Sequence, residues 1–149
     1  MARSPRDPSD QAHGITAADI DALLQAFTAL RALPSAHPDT PEAAASAYPI
    51  YAEPVRAFFQ LAGQPCWSDY GYASKGAAGM VRDDARVADA SLAEIRTMIT
   101  WCVRGERFCD GFWGSLFEGD RLDRILARLA ELRRREPPWA PSPSPPGRR

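Results

Sequence analysis

The chain has 149 residues, a length typical of a single domain. It carries 18 basic and 19 acidic residues, so its formal net charge is −1. Its composition therefore does not suggest a nucleic-acid-binding protein, which is usually basic overall. Apolar residues form 45% of the chain, but no run of about 18 of them occurs, and we expect no membrane span.

The cysteines and the N-terminal residues predict a cytoplasmic protein. Cys66, Cys102 and Cys109 are odd in number and form no C-x-x-C pair, so we do not expect a disulfide framework. The charged N-terminal residues are not followed by the apolar stretch that a secretory signal needs.

Both ends of the chain are predicted to lie outside the folded domain. Residues 1–14 are polar, and as a flexible arm they would bury too little apolar area to offset the entropy of ordering them. Residues 137–149 contain six prolines and are predicted to form a disordered tail that favours polyproline II. We therefore expect a single helical domain over residues 15–136.

The first helix is predicted over residues 17–33. Thr16 is its expected N-cap, and Asp19 lies in the first turn, where the helix dipole favours an acidic residue. Residues 34–49 contain four prolines and are predicted to form a loop, with a short extended segment over residues 48–51. The apolar residues of the helix recur at intervals of three and four: Ile20, Leu23, Leu24, Phe27 and Leu30.

A second helix is predicted to begin near Pro54, because proline suits the first turn of a helix. The following residues, 63–79, combine four glycines with three aromatic residues and are predicted to form a loop packed on the core. A short helix is expected over residues 80–88. The buried face of the second helix is expected to consist of Val55, Phe58, Phe59 and Ala62.

The clearest local signal is the sequence Ser91-Leu-Ala-Glu94, a capping box that begins a helix. We expect this helix to end at Arg104, because Gly105 can adopt the left-handed conformation that stops a helix.

Two more helices are predicted after this one. A short helix over residues 111–118 would have Asp110 as its N-cap, and Asp120 would cap a last helix that ends near Arg135. The elements together predict a mainly α fold, a small compact bundle of four to six helices. We expect the junction around Phe108 to hold this bundle together.

Residues 104–114 contain the densest mixture of charged, aromatic and nucleophilic side chains in the chain. Arg104 and Arg107 could converge on a phosphate or carboxylate, since guanidinium groups bind such groups through two hydrogen bonds. Cys109 could act as a nucleophile if a cation lowered its pKa. The candidate binding residues are Arg104, Glu106, Arg107, Cys109, Asp110 and Trp113.

A structural interpretation of the same residues is favoured over a functional one. Asp110 can cap a helix, Glu106 can pair with either arginine, and Phe108 and Cys109 can fill the core. A cysteine nucleophile needs a base, and the two histidines, His13 and His37, lie far from this turn in sequence.

We expect neither a metal nor a cofactor. The seven-residue spacing of Cys102 and Cys109 is no standard ligand spacing for zinc, which needs about four Cys or His ligands. The glycine spacing of a phosphate-binding loop is also absent around Lys75 and Gly76.

The last predicted helix is rich in arginine, and a basic outer face could contact nucleic-acid phosphates. The favoured alternative is a solvated face with ion pairs between residues four apart on the helix. The arginines concerned are Arg121, Arg124, Arg128, Arg133, Arg134 and Arg135.

Four segments carry a family resemblance: Ala90-Ser-Leu-Ala-Glu-Ile-Arg, Arg104-Gly-Glu-Arg-Phe-Cys-Asp-Gly111, Leu116-Phe-Glu118 and Arg124-Ile-Leu-Ala-Arg-Leu129. Together they resemble DUF6508, an uncharacterised bacterial and archaeal family of unknown function, over about residues 16–134. The R-x-x-R-F-C-x-G motif is the most specific part. The family often has histidine where this chain has Phe112. The resemblance implies a small, mostly helical, cytoplasmic prokaryotic domain and brings no reaction or ligand.

The leading functional prediction is a non-catalytic binding or regulatory module that contacts a protein or an anionic group through the turn at residues 104–110. One alternative is an enzyme or a nucleotide- or phosphate-binding domain that uses the same turn. Another is a weak nucleic-acid binder that uses the last helix. The partner itself is not predicted.

Overall fold

The computed structural model describes residues 14–135. This range contains eight α-helices, one 3-10 turn at Pro65–Trp67 and no strand, which confirms the predicted mainly helical fold. The predicted tails, 1–14 and 137–149, lie outside the described residues apart from Gly14. The helices are α1 (Ala17–Arg31), α2 (Pro41–Ala45), α3 (Glu53–Ala62), α4 (Ala77–Arg82), α5 (Asp84–Ala88), α6 (Leu92–Phe108), α7 (Phe112–Glu118) and α8 (Arg121–Arg134).

Helix α6 lies at the centre of the packing and contacts α3, α4, α7 and α8, while α1 packs against α3 and α8. The helices meet through apolar residues three or four positions apart, the spacing that places them on one face of each helix. The buried residues include Ile20 and Leu23 of α1, Val55 and Phe58 of α3, Ile95 and Ile99 of α6, and Ile125 and Leu129 of α8.

The predicted capping box at Ser91 and the predicted N-cap at Thr16 are both present, and Thr16 and Asp19 also form a capping box. The Thr16 hydroxyl accepts from the Asp19 amide at 3.1 Å, and the Asp19 carboxylate accepts from the Thr16 amide at 2.8 Å. Ser91 and Glu94 form the same reciprocal pair at the start of α6, with distances of 3.2 and 3.0 Å. These side chains satisfy amides that have no partner inside the helix.

Two local features raise the number of helices above the four to six expected. The predicted loop at 34–49 contains α2, because the Thr40 hydroxyl accepts from the Ala43 amide at 3.2 Å and Pro41 occupies the first turn. The predicted helix at 80–88 is divided at Asp83, whose backbone is extended (φ −103°, ψ 102°) and whose carboxylate caps α5. Residues 48–51 form no strand.

The predicted end of α6 at Arg104 is wrong, since the helix continues to Phe108. Gly105 is helical and does not act as a left-handed stop. A Cβ atom at this position would lie 2.2 Å from the Phe112 ring, so the glycine provides the space for that ring. The expected core position of Phe108 is also wrong, because this side chain is 79% exposed.

Arg31 links the end of α1 to the α7–α8 connection. Its guanidinium donates to both oxygens of Asp123 at 2.7 Å, a bidentate ion pair. It also donates to the carbonyl oxygens of Phe117 at 2.5 Å and Gly119 at 3.2 Å, which lie at the end of α7. The arginine therefore fills acceptors that a helix C-terminus leaves without partners.

Asp69 fastens the loop between α3 and α4 to α6. Its buried carboxylate accepts from the Thr97 hydroxyl at 2.6 Å, the Gly71 amide at 2.9 Å and the Lys75 ammonium at 3.2 Å. Its own amide donates to the Thr100 hydroxyl at 2.9 Å. Burial alone would raise the pKa of Asp69, but these hydrogen bonds and the ammonium outweigh burial and lower its pKa below the ordinary value.

Replacing Gly105 with alanine should destabilise the protein by about 1–3 kcal/mol, because the new methyl group would overlap the Phe112 ring. The matched control is Gly79→Ala in α4, where a Cβ atom meets no neighbour. The control should stabilise by about 0.5–1 kcal/mol, as expected when alanine replaces glycine in a helix. Urea unfolding measures both free energies, and equal effects of the two variants would contradict the role assigned to Gly105.

Asp69→Asn should lower the free energy of unfolding at neutral pH, because the amide cannot replace a carboxylate that accepts from three donors. The lowered pKa of Asp69 contributes stability that is present above its ordinary pKa of 3.8 and is lost as the pH falls through the folded-state value. The difference between wild type and variant should therefore shrink below pH 3.8. Unfolding at a series of pH values tests this, and a difference independent of pH would argue against it.

Candidate functional site

The predicted site is the turn between α6 and α7, and the Glu106 side chain forms hydrogen bonds within this turn. The Glu106 carboxylate accepts from the Gly111 amide at 3.0 Å and from the Trp113 amide at 2.8 Å. Glu106 therefore supplies the cap of α7. The prediction that Asp110 is this cap is wrong: the N-cap position is held by Gly111, whose φ of 89° favours glycine, and Asp110 is exposed.

Tyr51 completes this cap from a distant part of the sequence. Its hydroxyl donates to the Glu106 carboxylate at 2.9 Å and accepts from the Gly114 amide at 3.3 Å. The Tyr51 side chain is buried, and this burial, together with the hydrogen bond to the carboxylate, raises its pKa above the ordinary value. The first-turn amides of α7 are thus satisfied by two side chains from other segments.

Trp113 is a structural anchor and leaves little of its ring for a ligand. Its indole stacks on Phe59 with ring centroids 4.3 Å apart and planes 2° from parallel. The indole N–H points to the carbonyl oxygens of Cys102 and Val103, each at 3.2 Å. Since both the ring face and the N–H have partners inside the protein, Trp113 holds α7 against α3 and α6.

His37 lies beside the turn, although its distance from the turn in the sequence did not predict this. Its ring stacks on Tyr51 with centroids 5.1 Å apart, and its Nδ1 lies 2.8 Å from the Ile50 carbonyl oxygen. Because a carbonyl only accepts, Nδ1 carries a proton. A groove of about 390 Å³ runs from His37 past Tyr48 and Ile50 to Asp110.

Cys109 lacks the surroundings of a nucleophile. Its side chain is exposed, and its Sγ lies 3.9 Å from the Asp110 carbonyl oxygen. Within residues 14–135, no hydrogen bond joins Cys109 to a histidine and no group of three potential metal ligands occurs. An activated thiol needs a base or a nearby cation, and the described contacts supply neither to Cys109.

Arg104 and Arg107 flank Glu106 in the sequence of α6 and take no part in its contacts with α7. The Arg104 guanidinium carbon lies 5.6 Å from the centre of the Tyr70 ring, a cation–π distance. Among the described residues, neither arginine forms an ion pair with a carboxylate. The two predicted anion-binding side chains are therefore available to a partner, one turn apart on the same helix.

A groove of about 250 Å³ lies next to these arginines, between α4, α6 and the loop before α4. Phe108 borders it and is 79% exposed, and Tyr70, under Arg104, is 66% exposed. Residues 101, 104 and 108 follow helical spacing and so share one face of α6. We call this area the Phe108 surface; it consists of Tyr70, Tyr72, Trp101, Arg104, Arg107 and Phe108.

Comparison with known proteins identifies the family. The model of a family of unknown function, DUF6508, matches residues 11–135, which is most of the chain. The chain is a member of DUF6508. No curated protein and no solved structure matches it. The family resemblance seen in the sequence is confirmed, whereas its motif and its bacterial or archaeal origin stay predictions.

In this DUF6508 domain, most of the arginines in α8 and directly after it form ion pairs with carboxylates. Arg124 pairs with Asp84 and Asp120, and Arg128 pairs with Glu131 at 2.7 Å. Arg133 pairs with Asp21 at 2.8 Å, and Arg135 also pairs with Glu131. These contacts support the favoured interpretation of a solvated, internally neutralised face and weaken the case for nucleic-acid binding.

No helix in residues 14–135 of the DUF6508 domain is both long and apolar enough to cross a bilayer. The cytoplasmic location stays a prediction.

The hydrogen bond between Tyr51 and Glu106 should appear as a positive coupling energy of about 1 kcal/mol or more in a double-mutant cycle. The cycle compares Tyr51→Phe, Glu106→Gln and the double variant, each with similar shape to wild type. Urea unfolding provides the free energies. In a second cycle, Glu118→Gln replaces Glu106→Gln, since Glu118 is an exposed glutamate on α7. Additive effects in the first cycle would rule out a direct stabilising contact.

Proposed function

We propose that this DUF6508 domain is a non-catalytic binding module that holds a protein partner on the Phe108 surface. The observation that carries the proposal is the exposure of Phe108 on an ordered helix. Only four large apolar side chains are exposed within residues 14–135, and two of them, Phe108 and Tyr70, belong to this surface. Clustered exposed aromatic side chains beside arginines are typical of protein-binding hot spots.

The size of the groove supports a protein segment as the ligand. Its volume of about 250 Å³ is smaller than the roughly 300–1,000 Å³ of pockets that enclose a small molecule. It is large enough for one apolar side chain of a partner. Burying Phe108 under that partner would add about 1.5–3 kcal/mol to the binding free energy.

The walls of the groove are held in place before any partner arrives. The loop that carries Tyr70 and Tyr72 is fastened to α6 by the buried carboxylate of Asp69. Trp101 packs edge-on against Phe112, with ring centroids 5.1 Å apart. Since few side chains need to be ordered on binding, more of the contact energy is available as affinity.

This proposal revises the set of predicted binding residues. Arg104 and Arg107 stay in it, while Glu106 and Trp113 have structural contacts that account for them. Cys109 and Asp110 are exposed beyond the end of α6, and no observation favours a reaction at either of them.

Phe108→Ala should weaken binding of peptides selected on the wild-type domain from a phage-displayed random library. The loss of the anchor ring should weaken binding about tenfold or more, as measured by fluorescence anisotropy with labelled peptides. Stability should change by no more than about 0.5 kcal/mol, because the ring is exposed.

The control for this experiment is Tyr48→Ala, which removes a side chain that is 72% exposed in the separate groove beside His37. It should leave peptide affinity unchanged. Selected peptides that bind Phe108→Ala as tightly as wild type, or no enrichment of any peptide, would contradict the proposed function.

A further inference from the structure

We infer that the segment bound by the Phe108 surface is an acidic peptide that carries one large apolar side chain. This inference rests on the proposed function and names the chemistry of its partner. The apolar side chain would enter the groove beside Phe108, and carboxylates on either side of it would bind Arg104 and Arg107. Four observations on charge and geometry support this choice.

The first observation is that two carboxylates near this surface in the sequence, those of Glu106 and Asp69, are already engaged, while the exposed Asp110 lines the separate groove beside His37. Glu106, between them in sequence, points to the opposite side of α6 and caps α7. Asp69, next to Tyr70, is buried and holds Thr97 and Lys75. Arg104 and Arg107 form no ion pair with any carboxylate in residues 14–135. The residues of the Phe108 surface therefore carry two positive charges and no carboxylate, although the whole chain has a formal net charge of −1.

The second observation concerns the position of Arg104. Its guanidinium carbon lies 5.6 Å from the centre of the Tyr70 ring, a cation–π distance at which the ring accepts none of the in-plane N–H groups. Those N–H groups match the two oxygens of a carboxylate. Arg107 is three residues further along, so the two Cβ atoms are about 5–6 Å apart and neighbouring carboxylates of a peptide can reach both arginines.

The third observation argues against a second copy of this chain as the partner. A two-fold symmetric contact pairs a surface with itself, so Arg104 and Arg107 of both copies would be brought into the same interface. No free carboxylate of the Phe108 surface would separate these like charges. An acidic segment from a different protein avoids this repulsion.

The fourth observation argues against single-stranded nucleic acid. A strand bound without sequence preference needs a positive groove that tracks several phosphates. The Phe108 surface offers only two arginines for this purpose, Arg104 and Arg107, and its groove of about 250 Å³ has room for little more than one side chain.

The experiment compares peptide selection on three full-length proteins: wild type, Arg104→Glu/Arg107→Glu, and the control Arg121→Glu/Arg134→Glu, which reverses two exposed arginines of α8. Wild type and control should enrich peptides with Asp or Glu on either side of an aromatic or large aliphatic residue. The Arg104→Glu/Arg107→Glu protein should instead enrich peptides with Lys or Arg at those positions.

One selected peptide is then used to measure how much its carboxylates contribute to the affinity. Changing its carboxylates to amides should weaken binding to wild type about tenfold or more and should remove most of the dependence of affinity on salt. The same change should have little effect on binding to the Arg104→Glu/Arg107→Glu protein, because its arginine partners are absent.

Each other outcome has a definite meaning. Peptides that need Phe108 but show no acidic preference would overturn the inference and leave the proposed function standing. Absence of any Phe108-dependent peptide would overturn both. A dimer seen by sedimentation and lost in Phe108→Ala would assign the groove to a second copy. A short oligothymidylate that displaces the peptides from wild type would assign it to nucleic acid, and either result would overturn the inference.

Discussion

The junction between α6 and α7 depends on the hydrogen bonds that the Glu106 carboxylate accepts. Helix α7 begins at a glycine N-cap that has no side chain to accept from its first amides. Glu106 accepts two of these amides from the preceding helix and binds the Tyr51 hydroxyl as well. One side chain thus joins α6, α7 and the segment before α3. Leaving those buried or half-buried amides without partners would cost about 1–3 kcal/mol each.

The capping of α7 by Glu106 also determines which side chains of α6 are exposed to solvent. Residues two apart on a helix point in very different directions, so a Glu106 that faces α7 turns Arg104 and Phe108 to the other side of α6. Gly105 strengthens this arrangement, because the Phe112 ring occupies the space that a side chain would fill. The exposed aromatic and basic residues are therefore a consequence of how α7 is capped.

The sequence allowed prediction of the features that depend on neighbours within a few residues. The N-cap at Thr16, the capping box at Ser91 and the apolar periods of the long helices are of this kind. Three features depend on contacts between distant segments and were not predictable. His37 stacks beside the turn, Gly105 admits a ring from the next helix, and Phe108 lies outside the core. An apolar residue in a helix-ending segment has no local signal that distinguishes a buried position from an exposed one.

The candidate site was predicted as a single cluster, and the structure divides it into an inner and an outer half. This density of functional side chains combines two features of one turn, because Glu106 caps a helix while Arg107 and Phe108 are exposed. Two grooves border this turn, and they differ in how firmly they are held. Tyr48 lies on the connection after the five-residue α2, whereas Phe108 ends the 17-residue α6. A partner that binds at Phe108 meets side chains already ordered by Asp69 and Phe112, so it loses less conformational entropy than one that binds at Tyr48. For this reason the Phe108 surface, and not the groove beside His37, is the better candidate for recognition in this DUF6508 domain.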